Sequence, residues 1–177
     1  MTRRPGLLLL LALALPPALR GVTPQLFTPG ELAARAELVV TASVVELRAE
    51  RDAAGRPRGV TRLAVAEVWK GTPAGSSLEV VQADAVLGAE QVETAGAVKL
   101  AVGDRVVAFL HRSPAGEWIW VARAQGCFVV LEEESREALA SNGYWGSPGG
   151  TAAAAQPPHR RPLSVARLRR LVQEEAP

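Results

Sequence analysis

The chain has 177 residues, of which 48% are hydrophobic, so it is long and apolar enough to bury the core of one domain. Its 20 basic and 18 acidic side chains nearly balance, which excludes the strongly positive surface that binding to a phosphate backbone requires. A single cysteine excludes an internal disulfide, so the fold must be held by its apolar core.

The N-terminal segment has the pattern of a secretory signal peptide. Two arginines precede the apolar run 7–15, and two prolines follow it. The run is too short to span a bilayer as a helix, and this order of basic, apolar and helix-breaking residues is typical of export signals. We therefore expect residues 1–21 to be a signal peptide and the protein to be periplasmic or extracellular. An uncleaved membrane anchor is the alternative.

Charge is distributed unevenly over the rest of the chain. Residues 22–158 carry 12 basic and 16 acidic side chains, whereas residues 159–177 carry five arginines and two glutamates. An acidic body with a short basic tail does not offer the positive face that nucleic acids bind. We expect no nucleic-acid partner.

The first predicted element after the signal segment is a short helix near 29–36. Thr28, Pro29 and Glu31 have the spacing of a capping box with proline at the first helical position. A strand is predicted next, at 38–50, and its alternation changes phase. Apolar residues occupy even positions up to Val44 and odd positions from Val45 onward. Because one extra residue exchanges the two faces of a strand, we expect a bulge or a sharp bend near 44–45.

The middle of the chain consists of short strands separated by turn residues. The further predicted strands are 60–70, 77–83, 104–111, 118–123 and 127–132. A tight turn at 124–126 joins the last two strands, and the weak periodicity of 84–102 allows a short helix around 89–95. Meander spacing with one longer connection predicts a mainly β protein, a small antiparallel OB-like barrel of five or six strands. A β-sandwich is the alternative.

The C-terminal part is predicted to contain a linker and a helix. Residues 132–143 allow another short helix, and residues 144–162 are rich in Gly, Ala and Pro and read as a linker. Residues 164–175 have the apolar stripe of an amphipathic helix that Ser164 can cap. We expect this helix to dock on a barrel domain that spans residues 22–143. Binding to an acidic surface or to lipids is the alternative.

Cys127 raises the question of a catalytic thiol. A cysteine nucleophile needs a neighbouring base, and the chain offers only His111 and His159. His111 lies in a neighbouring predicted strand, so contact between the two side chains is conceivable. The apolar residues around Cys127 instead favour a small side chain packed on a strand face.

Trp118 and Trp120 share one face of a predicted strand. On an exposed face they would form an aromatic platform for a sugar, a peptide or a protein. In the alternative, which we favour, both rings fill the barrel or lie under the C-terminal helix. Trp118, Trp120 and Cys127 are the candidate ligand-binding residues.

Other chemical motifs are weak or absent in the sequence. The stretch KGTPAGSS lacks the lysine and the spacing of a phosphate loop, and no G-x-S-x-G occurs. Two histidines and one cysteine give no spaced zinc ligands. Asp84, Glu90 and Glu93 could supply oxygen ligands, although solvated loop acids are far commoner. We expect no catalytic residue, no metal and no cofactor.

Four segments carry a resemblance: ELVVTASVVEL, VTRLAVAEVWKG, AVGDRVVAFL and ARAQGCFVVL. Their order resembles small exported bacterial β-barrel proteins of unassigned activity. It is also similar to the OB-type barrel of netrin-like modules and tissue inhibitors of metalloproteinases, over residues 37–132. Those inhibitors use a cysteine-anchored N-terminus to chelate the metal of a protease. This chain has neither that cysteine nor the disulfides, so the resemblance implies the fold and not the inhibitory mechanism.

The sequence as a whole predicts an exported, non-enzymatic binding or interaction module. Its partner is expected to be a protein or a peptide, and contact with a membrane is expected only through the signal segment or weakly through the basic C-terminal helix. The alternative is an inhibitor or partner of an exported protease. A thiol-dependent or metal-dependent enzyme is the third hypothesis, and it requires His111 to lie near Cys127.

Overall fold

The computed structural model describes residues 25–83, 85–92, 98–131, 139–141 and 163–175. The predicted signal peptide and the whole of the predicted linker, residues 144–162, lie outside these ranges. The same holds for Asp84 and Glu93 of the suggested oxygen-ligand site.

The described residues form two α-helices and ten strands. The helices are α1 (Pro29–Arg35) and α2 (Val165–Glu175). The strands are β1 (Leu38–Arg51), β2 (Pro57–Lys70), β3 (Ser77–Gln82), β4 (Ala85–Leu87), β5 (Glu90–Val92), β6 (Arg105–Arg112), β7 (Trp118–Trp120), β8 (Cys127–Leu131), β9 (Leu139–Ser141) and β10 (Leu163–Ser164). A 3-10 helix, Arg123–Gly126, separates β7 from β8.

Five strands close into a ring, which confirms the predicted OB-like barrel. The hydrogen-bonded order is β1-β2-β3-β7-β6, and β6 returns to pair with β1. All of these junctions are antiparallel except β3–β7, which is parallel and consists of Val80 opposite Trp118 and Val81 opposite Ile119. A closed ring removes most exposed strand edges, which an open sandwich would keep.

The bend predicted in the first strand is present. The register between β1 and β2 shifts between Val44 and Glu46, so that Val45 is the extra residue of a bulge. Val44 is buried in the barrel, whereas Val45 is 43% exposed. The change of phase in the sequence therefore reported a real exchange of faces.

The 3-10 helix Arg123–Gly126 lies where a tight turn between β7 and β8 was predicted, but the two strands do not pair with each other. Both strands pair with β6, β7 with its end and β8 with its beginning, so they follow one edge of β6 in succession. The interruption between them holds Ala122 and Arg123 at positive φ, 49° and 59°. Left-handed backbone at these positions steps the chain out of one strand and back into line with the next.

Two further segments that were predicted as possible helices form strands where the structure describes them. The segment allowed as a helix around 89–95 contains β5, which pairs with β4 in a separate two-stranded sheet. Of the segment 132–143, only 139–141 is described, and it is β9, which pairs with β8. Both segments are rich in polar residues, so the sequence shows no clear alternation of apolar and polar positions that would indicate a strand.

The described residues form two apolar cores, on opposite sides of the barrel wall. Alternate residues of β6 separate them: Val106, Ala108 and Leu110 point into the barrel, whereas Val107 and Phe109 point out. The outer core also holds Trp69 and Phe128 together with the apolar faces of α1 and α2. The two helices therefore form a layer over the outer wall.

Both helices begin as predicted. The Thr28 hydroxyl accepts a hydrogen bond from the Glu31 amide, and the Glu31 carboxylate accepts one from the Thr28 amide, which completes the capping box. These hydrogen bonds hold the pKa of Glu31 below its ordinary value. At the start of α2, the Ser164 hydroxyl accepts from the Arg167 amide.

Buried Gln125 fixes the start of the described chain. Its Oε1 accepts a hydrogen bond of 2.9 Å from the Phe27 amide, and its Nε2 donates one of 2.9 Å to the Gln25 carbonyl. Gly126 follows directly, and a Cβ there would collide with the Val121 carbonyl. Gln125 therefore holds the backbone of Gln25 and Phe27 with two hydrogen bonds, which we call the clamp, and Gly126 allows the backbone of Val121 to pass close by.

Candidate binding face

A surface rich in ion pairs covers the outer side of β2 and β3, together with the end of β1 and the loops 52–56 and 113–117. We call this surface the charged face. β2 and β3 place alternate residues outward there, because their other residues, such as Leu63 and Val80, fill the barrel.

Arginines and glutamates alternate across the charged face. They are Arg48, Arg58, Arg62, Glu46, Glu50, Glu79 and Glu117. Arg48 donates two hydrogen bonds to Glu79, of 2.8 and 3.0 Å, in the bidentate geometry of a strong pair. The guanidinium of Arg58 forms two ion pairs of 2.6 Å, from Nη2 to Oε1 of Glu50 and from Nη1 to Oε1 of Glu117. These bonds hold the pKa of Glu50 and of Glu79 below their ordinary values, the first through Arg58 and the second through Arg48.

Two grooves meet at the charged face. The first has a volume of about 300 Å³, and Val60, Val81 and Trp118 form part of its apolar lining. The second has a volume of about 430 Å³ and extends toward the loops at 52–56 and 113–117. Arg58 and Glu117 line both grooves, so their ion pair stands at the junction.

Arg112 closes one side of the first groove. Its guanidinium carbon lies 3.8 Å from the centroid of the Trp118 ring, and the side chain donates a hydrogen bond to the Gly116 carbonyl. A guanidinium stacked on an indole is held by cation–π attraction while its edges remain available to hydrogen-bond acceptors. Arg112 is the exposed member of the pair and Trp118 the buried one.

The candidate residues Trp118 and Trp120 lie in the barrel core. They are 9% and 5% exposed and pack with Leu110 and Val80. This is the arrangement favoured over an exposed platform. Trp118 nevertheless contributes to the lining of the first groove. The indole N–H of Trp120 is buried and has no acceptor among the described residues.

Cys127 also points into the barrel core and is 3% exposed. Burial raises the pKa of its thiol, and the nearby charge of Asp104 raises it further. His111 alternates with Val107 and Phe109, so it lies on the outer side of β6, whereas Cys127 opposite Ala108 lies on the inner side. The structure therefore does not bring the thiol and the imidazole together.

Neither a metal cluster nor a membrane-spanning helix is found in the part of the chain that the structure describes. Across the described ranges, no three side chains of the types His, Cys, Asp and Glu come together in a metal-binding arrangement. Neither α1 nor α2 has the length and apolar character needed to cross a bilayer.

Sequence reasoning missed the charged face because its members come from distant parts of the chain. Arg58 and Glu117 are 59 positions apart and Arg48 and Glu79 are 31 positions apart. One signal was present: the outward positions of β1 and β2 carry charges of opposite sign that become cross-strand neighbours once the register is known.

Comparison with protein-family models finds no match to this chain, and comparison with curated proteins finds none either.

Proposed function

We propose that this protein is an exported, non-enzymatic module that binds a protein or peptide ligand at the charged face. The observation that carries the proposal is the pair of grooves that meet at the Arg58–Glu117 ion pair. Export is inferred from the sequence pattern of residues 1–21 alone.

The position of the grooves supports this choice of surface. OB-type barrels bind their ligands on the face of the second and third strands and on the loops after the first and fourth strands of the barrel. Here the grooves are lined by β2 and β3 and by the corresponding loops, 52–56 and 113–117. This support is an analogy of fold, and the chemistry of the ligand must come from the residues themselves.

The charges of the face favour a ligand that carries both signs. The named basic members are Arg48, Arg56, Arg58, Arg62 and Arg112, and the acidic members are Glu46, Glu50, Asp52, Glu79 and Glu117. Equal numbers of each sign give no net attraction for a phosphate backbone. A peptide can exchange its own carboxylates and cations into such pairs.

The apolar floor of the first groove adds a second kind of contact. Val60 and Val81 lie between the charged side chains, beside the stacked Arg112 and Trp118. An apolar or aromatic side chain of a ligand would be desolvated there, in the manner of an interface hot spot surrounded by polar contacts. The proposed ligand is thus a peptide segment with an apolar anchor and flanking charges.

The test uses peptides selected by display against the purified protein without residues 1–21. We expect Arg112→Ala to weaken the binding of selected peptides about tenfold, because it removes both a charge and one wall of the first groove. Arg167→Ala is the matched control, since Arg167 is an exposed arginine on α2. Calorimetry measures both affinities. Peptides whose binding is unaffected by Arg112→Ala and by Glu117→Gln would overturn the assignment to the charged face.

A further inference from the structure

We propose that two copies of this chain associate through the outer edge of β1, pairing antiparallel about a two-fold axis at Leu47. The inference concerns a strand edge and not the grooves, so it does not depend on the ligand of the charged face. It follows from the length of β1, from its exposed apolar residues and from the order of its charges.

The second half of β1 has an edge without a partner among the described residues. One edge pairs with β2 along its whole length, up to Arg51. The other edge pairs with β6 only from Leu38 to Ser43. Among the described residues, the last backbone hydrogen bonds of that edge join Val44 to Gly103 and Asp104. From Val45 onward, no described strand pairs with this edge, so its backbone can pair with another strand.

The exposed side chains along this edge are apolar on one face. Val45 is 43% exposed and Leu47 is 42% exposed, although both are β-sheet residues of the kind that normally pack. On the other face stand Glu46 and Arg48, which belong to the charged face. An edge of this kind invites pairing, and its side chains decide which partner fits.

The sequence of β1 is complementary to itself in one antiparallel register. With the two-fold axis at Leu47, each Leu47 lies opposite Leu47 of the second copy. Glu46 then lies opposite Arg48 of the second copy, and Val45 lies opposite Ala49. The ladder ends at this pair, because the next position, Val44, is already hydrogen-bonded to Gly103 and Asp104. Opposite charges and apolar pairs directly across an antiparallel ladder stabilise it. A two-fold interface repeats each of these contacts twice.

The neighbouring registers place like charges together. An axis at Glu46 sets Glu46 against itself. An axis at Arg48 sets Arg48 against itself and Glu46 against Glu50. An axis at Ala49 sets Arg48 against Glu50, but it also sets Leu47 against Arg51 and Glu46 against Asp52. Like charges directly opposite each other destabilise a strand pair, so the charges exclude the axes at Glu46 and Arg48. The apolar pairs, Leu47 with Leu47 and Val45 with Ala49, favour the axis at Leu47 over the axis at Ala49.

The proposed pairing would make the two charged faces continuous. Glu46 and Arg48 already form ion pairs with Arg62 and Glu79 within one copy. In the dimer, the Glu46–Arg48 contacts across the axis would join these networks into one row of alternating charge. A ligand would then meet two sets of grooves on one extended sheet.

The first experiment traps the dimer covalently. Residues directly opposite in an antiparallel pair have Cα atoms about 4.5 to 5.5 Å apart, which is within the range of a disulfide. We therefore expect Leu47→Cys to form an interchain disulfide in air about tenfold faster than Val68→Cys, because association raises the effective concentration of the two thiols. Val68 is the control because it is 39% exposed and lies opposite Val40, far from the second half of β1. The native Cys127 is buried and does not compete.

The second experiment dissociates the dimer without a new cysteine. Sedimentation of the protein lacking residues 1–21 should show a concentration-dependent dimer. Leu47→Lys should weaken this association at least about tenfold, because it sets two ammonium groups opposite each other at the axis. Val68→Lys should leave the association unchanged, and circular dichroism checks that each variant is folded.

Three results would overturn the proposal. The first is a wild-type protein that stays monomeric at the highest soluble concentration while Leu47→Cys cross-links no faster than Val68→Cys. The second is a dimer that survives Leu47→Lys, which would place the interface elsewhere. The third is a protein that is monomeric alone and pairs this edge only with an added peptide, which would reject a second copy as the occupant.

Discussion

Cys127 illustrates how burial decides the chemistry of a single residue. Its thiol lies in the barrel core beside apolar side chains, and desolvation disfavours the thiolate that a nucleophile needs. The base that could have activated it, His111, lies on the other side of the β6 backbone. The residue therefore behaves as a small apolar side chain.

We predict that the Cys127 thiol is unreactive until the protein unfolds. A thiol reagent should label it more than about a hundredfold more slowly in buffer than in denaturant, because labelling requires both exposure and the thiolate. Mass spectrometry of the labelled protein measures the rate. Fast labelling in buffer would mean that the barrel opens at this position.

The same residue should make stability depend on alkaline pH. The raised pKa keeps the native thiol protonated, whereas the unfolded thiol ionises near pH 8.5. The contribution to the free energy of unfolding is therefore complete below about pH 8.5 and decreases above it. Urea unfolding from pH 8 to pH 10 should show a steeper decrease for the wild type than for Cys127→Ala. Equal slopes would contradict it.

Individual roles were only partly predictable at the scale of the residue. The alternation around Cys127 indicated a packed strand residue, and the structure shows one. Arg112 and Glu117 gave no such signal, because a charged residue near a turn is usually a solvated one. Their importance comes from the Trp118 ring and from Arg58, which only the fold brings next to them.

Among the elements, the end of β2 depends on one glycine. Gly71 has φ of +78°, and a Cβ there would collide with the Glu37 carbonyl. Gly55, in the loop after β1, has φ of +79° but nothing within 4 Å of such a Cβ. A larger residue would strain the backbone at either position, but only at Gly71 would its Cβ also collide with another part of the chain.

We predict that Gly71→Ala destabilises the protein much more than Gly55→Ala. Gly55→Ala should cost about 1 kcal/mol, the strain of a left-handed residue, whereas Gly71→Ala should cost more than about 3 kcal/mol because the backbone must also move. Thermal or urea unfolding measures both. Equal losses of unfolding free energy in the two variants would show that the backbone before β1 can move away from the new methyl group without destabilising the protein.

The strands differ in how well a sequence pattern reveals them. β1 and its bulge are predictable from the alternation of apolar and polar residues alone. In a long strand with one buried face, an inserted residue moves the apolar residues from even to odd positions, and this change is visible in the sequence. β4 and β5 are three residues each and mostly exposed, so they bury too little to shape the sequence. The junction of β3 with β7 depends on contacts between distant segments, which no local window contains.

At the scale of the whole molecule, the described residues form a barrel with one apolar core inside it and a second between its outer wall and the two helices. Leu168 and Val172 of α2 are fully buried against this outer core, and Arg169 of the same helix lies 2.6 Å from Glu67 of β2. Trp69 donates to the same glutamate at 3.0 Å. The C-terminal helix is therefore joined to the barrel by both apolar packing and an ion pair.

We predict that α2 and the barrel unfold together. Leu168→Ala should lower the free energy of unfolding by about 2–5 kcal/mol, because it leaves a cavity in the outer core. Gln173→Ala, on the exposed side of α2, should change it by less than about 0.5 kcal/mol. Urea titrations followed by circular dichroism and by tryptophan fluorescence should give coincident transitions. Separate transitions would make α2 an independent unit.

The clamp of Gln125 on the Gln25 and Phe27 backbone has a consequence for the order of events during synthesis. A ribosome delivers residues 25–27 first, but the amide that holds them is made 98 to 100 positions later. Until then, no clamp holds residues 25–27. The clamp therefore cannot close before Gln125 has been synthesised, and a closed clamp marks a chain that has been made at least that far.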